Sequence, residues 1–157
     1  MQNASFNACI DATLSALGAP DGALLPILHA IQAEHGYVPS DAVPVIADRL
    51  NLSRAEVHGV ISYYHHFRKA PAGKIVVQLC QAEACQSVGS EAVTEHAKRS
   101  LGIDFHETTA DGHVTLEPVY CLGHCACGPS MMVGERLHAR VDTAKFDALI
   151  ARARSDA

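Results

Sequence analysis

The chain has 157 residues, 48% of them apolar, enough for one medium core or two small ones. Its net charge of −5 argues against a nucleic-acid binder, which needs clustered cations: the 12 Lys and Arg are scattered, with no run longer than Arg68-Lys69 or Lys98-Arg99. No apolar stretch of about 18 residues occurs, so no direct membrane insertion is expected.

In chain order, the first 70 residues read as helices. Phe6, Ile10, Leu14 and Leu17 recur at helical spacing, and Gly18 followed by Pro20 ends that segment. A second helix places Leu24, Ile27, Leu28 and Ile31 on one face and stops at Gly36, with Pro26 tolerable only in its first turn. Ser40 is expected to cap a third helix through Val43, Ile46, Ala47 and Leu50. Ser53-Arg54-Ala55-Glu56 is a capping box that opens a fourth, with Val57, Val60, Ile61 and Tyr64 expected to face inward. Ala70-Pro71-Ala72-Gly73 then marks a boundary between a helical bundle at 1–70 and a second domain at 71–157.

Beyond the boundary the period changes. Ile75-Val76-Val77-Gln78-Leu79 reads as a buried strand delivering Cys80, and a helix is expected from Ser90 to Leu101. Asp111-Gly112 turns into Val114-Thr115-Leu116-Glu117, whose alternation predicts a half-exposed strand delivering Cys121. Met131-Met132-Val133 and Arg136-Leu137-His138-Ala139 form a hairpin about Gly134-Glu135. Asp142 caps a last helix that buries Phe146, Leu149, Ile150 and Ala153. The resulting β-α-β-β-β-α order makes the whole an α+β chain and is compatible with a thioredoxin-like sandwich.

Four cysteines in two pairs carry the chemistry. Cys80 and Cys85 have four residues between them, Cys121 and Cys125 have three, and 35 residues separate the pairs. A set of thiolates alone selects zinc or iron–sulfur chemistry. Zinc usually takes tight hooks, often with His, whereas the wider Cys80–Cys85 hook suits a two-iron cluster; spacing favours the cluster and leaves zinc open. Met1-Gln2-Asn3-Ala4-Ser5 lacks the regions of a signal peptide, so a cytoplasmic location is expected. There six cysteines point to metal or redox chemistry rather than to disulfides.

Further motifs make a resemblance specific: Leu28-His29-Ala30-Ile31-Gln32 with Gly36-Tyr37-Val38-Pro39, Val57-His58-Gly59-Val60-Ile61-Ser62-Tyr63-Tyr64, Cys121-Leu122-Gly123-His124-Cys125, Pro129 and Met131-Met132. Together with Cys80 to Cys85 they resemble the thioredoxin-like 2Fe–2S subunit of NADH-oxidising complexes. That family includes the 24-kilodalton subunit of respiratory complex I and the small subunits of NAD-linked hydrogenases and formate dehydrogenases. Gln81-Ala82-Glu83-Ala84-Cys85-Gln86 and Cys125-Ala126-Cys127-Gly128-Pro129 look most like the gamma subunit of soluble, molybdenum-dependent, NAD-reducing formate dehydrogenase.

The resemblance implies a thioredoxin-like 2Fe–2S ferredoxin domain behind the bundle, with one cluster held by Cys80, Cys85, Cys121 and Cys125. It also implies an electron-transfer role beside a flavin- and NAD-binding partner subunit, with a molybdenum-containing catalytic subunit further on. FMN, NAD and the molybdenum cofactor are expected only in those partners, because no Gly-x-Gly-x-x-Gly or P-loop marks a phosphate site here. The free chain is not expected to oxidise NADH or formate. The alternatives are the same subunit of a hydrogenase or respiratory NADH dehydrogenase, or a structural zinc module without redox activity.

The remaining candidates read more plainly. Cys127-Gly128-Pro129-Ser130 resembles a thioredoxin redox loop that has lost its second cysteine, so Cys127 is expected to be a non-ligand, without the partner sulfur of dithiol exchange. His124 is expected to face solvent or stand behind the ligands, since Rieske sites need two histidines. His65-His66 should end a helix, His29 should be packed or meet a partner, and Cys9 should be a small buried or boundary residue. Gly123 and Gly128 would let backbone N–H groups come close to the cluster, or serve as simple turns.

Overall fold

A computed structural model of the chain describes residues 2–18 and 21–156. Two compact units follow one another, Met1–Pro71 and Ala72–Ala157.

The first unit contains four helices: α1 (Gln2–Leu17), α2 (Leu24–His35), α3 (Ala42–Leu50) and α4 (Arg54–Tyr63). Phe6, Ile10, Ile27, Leu28, Ile31, Ile46 and Val57 close into one apolar cluster. The repeat of α1 holds for Phe6 and Ile10, continues with Leu14 packed half-buried against the same cluster, and runs out at Leu17, exposed in the last turn. Gly18 follows at φ +70, while Pro20, expected to help end the helix, lies outside the described residues. Gly36 ends α2 at φ +79, the left-handed conformation that costs glycine nothing.

The capping box at Ser53 is complete: its hydroxyl accepts the Glu56 N–H at 3.1 Å and the Glu56 carboxylate accepts the Ser53 N–H at 2.7 Å. Ser40 does not cap α3. Asp41 precedes that helix with no side-chain cap, and the carbonyls of Pro39 and Ser40 accept the first N–H groups instead, from Ala42 and Val43. Tyr64 is likewise turned out, since the chain leaves helical geometry there; Val57 and Ile61 are buried and Val60 packs half-buried beside them.

The inward aromatic of that region is Phe67, carried on the segment after α4. Buried Gln32 fastens this segment, donating to the His66 carbonyl at 2.9 Å and accepting the Arg68 N–H at 2.7 Å. His65 and His66 therefore sit beyond the helix end. His29 is exposed rather than packed, its ring about 5.0 Å from both His66 and Phe67.

The second unit is a five-stranded sheet with helices. In order come β1 (Ile75–Cys80), α5 (Glu83–Gln86), α6 (Ser90–Leu101), β2 (Glu107–Thr108), β3 (Val114–Val119), a 3-10 turn at Cys125–Cys127, β4 (Met131–Val133), β5 (Arg136–His138) and α7 (Thr143–Asp156). Across the sheet the order is β2-β3-β1-β4-β5, with β1 and β3 parallel and every other pairing antiparallel. Ile75, Val77 and Leu79 alternate onto the face that meets Val93 and Ala97 of α6 and Phe146 and Ile150 of α7. The two helices also touch each other, with His96 Nε2 at 2.8 Å from Asp147 and its ring edge-on to Phe146.

β3 departs from the expected alternation: Val114, Thr115 and Leu116 are all buried. It lies inside the sheet between β1 and β2, and Thr115 Oγ1 is satisfied by the Gly73 N–H at 2.6 Å and the Thr108 hydroxyl at 2.8 Å. The Gly134-Glu135 hairpin and the Asp142 cap are as expected, Asp142 accepting the Lys145 N–H at 2.7 Å. Among the described residues no helix is long and apolar enough to cross a membrane.

Phe146 is fully buried where α6, α7 and the sheet meet. Phe146→Ala is expected to cost about 3–5 kcal/mol of unfolding free energy. A clearly lower urea midpoint for the sheet unit checks this; an unchanged midpoint contradicts the packing described.

Candidate metal centre

The parallel pairing of β1 and β3 decides where the cysteines meet. Parallel strands end at the same edge of a sheet, and the register sets Cys80 opposite Val119. Cys121 follows two residues later, so both cysteine segments emerge side by side. Cys80 is the last residue of β1, its N–H donated to the Ser130 carbonyl at 3.1 Å, while the Gln81 N–H reaches the Val119 carbonyl at 2.7 Å. The chain then turns at once into the single turn of α5, which carries Cys85.

The second segment bends sharply. Cys121 adopts φ +134 and Gly123 φ +75, after which the 3-10 turn presents Cys125. That turn is fixed from behind, where the Arg140 N–H donates to the Cys127 carbonyl and the Val141 N–H to the Pro129 carbonyl, at 2.8 and 2.9 Å.

The sulfurs come as two pairs. Sγ of Cys121 and Cys125 are 3.6 Å apart and exposed. Cys80 and Cys85 are buried, with a thiol hydrogen bond between them. The pairs adjoin: the Leu122 N–H of the second segment points at the Cys80 sulfur, and Cys125 feels the charge of Cys80. Among the described residues no three metal-ligating side chains converge on one point as a single-ion site requires.

Backbone amides surround this group. Cys80 accepts the N–H of Ala82 as well as that of Leu122, and Cys121 accepts the Gly123 N–H at 3.3 Å. Burial pushes the Cys80 thiol up and the two amides oppose it. The Gly123 amide and then the Cys125 thiol draw Cys121 down, and in the same exchange Cys121 raises Cys125. Gly128 has a steric role: a Cβ there would meet Val88 Cγ2 at 2.9 Å and Cys85 Sγ at 3.3 Å. Its lack of a side chain lets the third segment close over Cys85. These observations fit a negatively charged thiolate cluster, which amide N–H groups stabilise and tune.

Cys127 is half-buried and spends its backbone on the turn, and His124 is exposed. Cys9 belongs to the helical unit, where its thiol donates to Glu34 Oε2 at 2.6 Å; burial first, then Glu34, lifts it to about 11. The four sulfurs are visible in the sequence, but the amides of Ala82 and Leu122 are not, because no residue type announces them.

Thiolate fraction governs alkylation. In the reduced, metal-free chain near neutral pH, Cys121 is expected to react first with iodoacetamide and Cys9 last, as read by peptide mass mapping over time. Equal rates at these two positions would contradict the environments described.

Relatives with similar sequences agree on the type of protein. The chain is 39% identical over 128 residues to an NADH-quinone oxidoreductase subunit of Rhizobium meliloti (strain 1021), covering 82% of this chain and 76% of that one. It is 32% identical over 138 residues to the HndA subunit of the NADP-reducing hydrogenase of Solidesulfovibrio fructosivorans, covering 88% and 81%. Among solved structures, an NAD+-reducing NiFe-hydrogenase in its H2-reduced state superposes with a TM-score of 0.68 at 22% identity over 83% of this chain, a likeness of fold. This chain spans only 22% of that hydrogenase chain. Residues 10–154 match the thioredoxin-like 2Fe–2S ferredoxin family, and the chain belongs to that family.

Proposed function

We propose that the chain is the electron-transfer subunit of a nicotinamide-linked oxidoreductase complex and holds one 2Fe–2S cluster on Cys80, Cys85, Cys121 and Cys125. The observation that carries this reading is the meeting of two sulfur pairs at one sheet edge, one pair buried and one exposed. A bound cluster of this type supplies a centre that takes up and releases single electrons.

The chain's own residues divide the remaining work. Cys80 and Cys85 fasten the group to the buried side, backed by the sheet and by the close approach of Gly128. Cys121 and Cys125 close it on the solvent side, where a partner can come near. The amides of Ala82, Leu122 and Gly123 stabilise negative charge on the sulfurs without adding a proton.

A partner subunit carrying FMN and the NAD site completes the reading, supported by the nicotinamide-linked relatives named above. The narrower assignment is the gamma subunit of an NAD-dependent formate dehydrogenase with a molybdenum-containing catalytic subunit. It rests on the segments Gln81 to Gln86 and Cys125 to Pro129. A hydrogenase or respiratory NADH dehydrogenase would use the same site in the same way, and the companion subunits decide between them.

Cys→Ser at 80, 85, 121 or 125 is expected to remove most iron and acid-labile sulfide and the visible absorption that dithionite bleaches. Cys127→Ser and His124→Ala should keep all three. Stoichiometric zinc in a colourless native preparation would replace the cluster with the structural zinc module. The chain isolated with its natural companions is expected to couple formate oxidation to NAD reduction, while the chain alone does neither. Hydrogen or quinone coupling in that preparation would move the assignment to the corresponding complex.

A further inference from the structure

The second unit contains a cationic cleft far from the sulfurs in the sheet. It has a volume of about 390 Å³ and lies among the start of β1, the β4–β5 hairpin and the second half of α7. That size is within the range of small-molecule sites, roughly 300–1,000 Å³. Its floor is apolar, with Ile75, Val133, Leu149 and Ala153. Its rim is basic, with Lys74, Arg136, Arg152 and His138.

Such a gathering of cations is unusual in a chain of net charge −5. Three permanent positive charges, from the residue before β1, from β5 and from α7, line the cleft with one carboxylate, Asp156, which lies 3.8 Å from Arg152 with both groups well exposed. Among the described residues neither Lys74 nor Arg136 forms a side-chain ion pair. The crowding registers on His138: burial first, then Lys145, Arg136 and Arg152, hold its imidazole below the usual range. Lys145 itself is tied to the Ala139 carbonyl at 2.6 Å, so its charge stays beside the cleft.

An excess of two positive charges calls for a dianion, and guanidinium groups match the oxygens of phosphate in geometry. Inorganic phosphate alone leaves the apolar floor unused. We propose that the cleft binds a phosphate monoester whose organic group covers the apolar floor, such as a nucleoside monophosphate, with Lys74, Arg136 and Arg152 on the phosphate and Ile75, Val133, Leu149 and Ala153 beneath the rest. No phosphate motif marks this site in the sequence, because its cations are dispersed over some 80 positions and only folding collects them.

The test titrates the full cluster-containing chain with adenosine monophosphate, inorganic phosphate and adenosine, read by calorimetry and by the His138 imidazole resonance. The nucleotide is expected to bind roughly tenfold tighter than inorganic phosphate, adenosine not to bind, and binding to weaken as salt is added. Bound phosphate should raise the pH at which His138 titrates, against the pull of Lys145, Arg136 and Arg152, in a cleft that Lys74 and Asp156 also line. Arg136→Glu and Arg152→Glu, both at exposed positions, should each weaken nucleotide binding at least roughly tenfold and leave the cluster absorbance unchanged. Absence of binding, equal binding of phosphate and nucleotide, or indifference to both variants overturns the proposal. Preference for an oligoglutamate peptide over the nucleotide also overturns it and assigns the cleft to an acidic protein partner.

Discussion

The parallel ladder between β1 and β3 is the constraint on which the rest of the second unit depends. Four thiols on two segments, with 35 residues between the pairs, have no reason to meet in an extended chain. Pairing Ile75 with Val114 and continuing to Cys80 with Val119 brings both segments to the same edge. An antiparallel pairing of those two strands would carry the segments to opposite ends, about 20 Å apart for six residues. The crossover through α6 is what parallel pairing requires, and burial of Val93 and Ala97 against the sheet holds it in place. The apolar residues of α6 thus do the site's work at a distance.

Once the segments meet, the local backbone completes the site. Thiolates in a partly buried setting are stabilised only if donors face them, and here the donors are main-chain amides. The Leu122 amide is the telling one, because it starts on one cysteine segment and ends on a sulfur of the other. Cys121 at φ +134 and Gly123 at φ +75 make the bend that aims it. Gly128 allows a third segment to press against Cys85 from behind.

Much of this was legible in the sequence because it rests on periodicity and on residue types with few uses. The Ser53 capping box, the Asp142 cap, the Gly134 hairpin and the two-residue repeat of β1 each have a local signature. The misreadings came where tertiary context overrode local rules. β3 looks half-exposed in its polar alternation, yet Thr115 is buried because the Gly73 amide and the Thr108 hydroxyl satisfy its oxygen. Tyr64 fits the helical repeat of α4 but falls where the helix has already ended, so Phe67 takes the inward place. β2 has two residues, too few to show any period. Of the site, the sulfurs were visible and their amide donors were not, since every residue but proline has the same N–H.

The cationic cleft and the sulfur edge lie at opposite ends of one strand. Lys74 precedes β1 and Ile75 opens it at the cleft, and Cys80 closes it at the sulfurs. Between them Val77 and Leu79 are locked into the core, and Gln78 is half-buried. The packing of Phe146, Val93 and Met131 resists movement of the sheet between the two ends. The unit has two chemically opposite ends: sulfurs facing amide donors at one, cations over an apolar floor at the other. Substitution of the exposed arginines leaves the register that assembles the sulfurs untouched, because that register is set by backbone bonds between β1 and β3, and neither arginine lies in those strands.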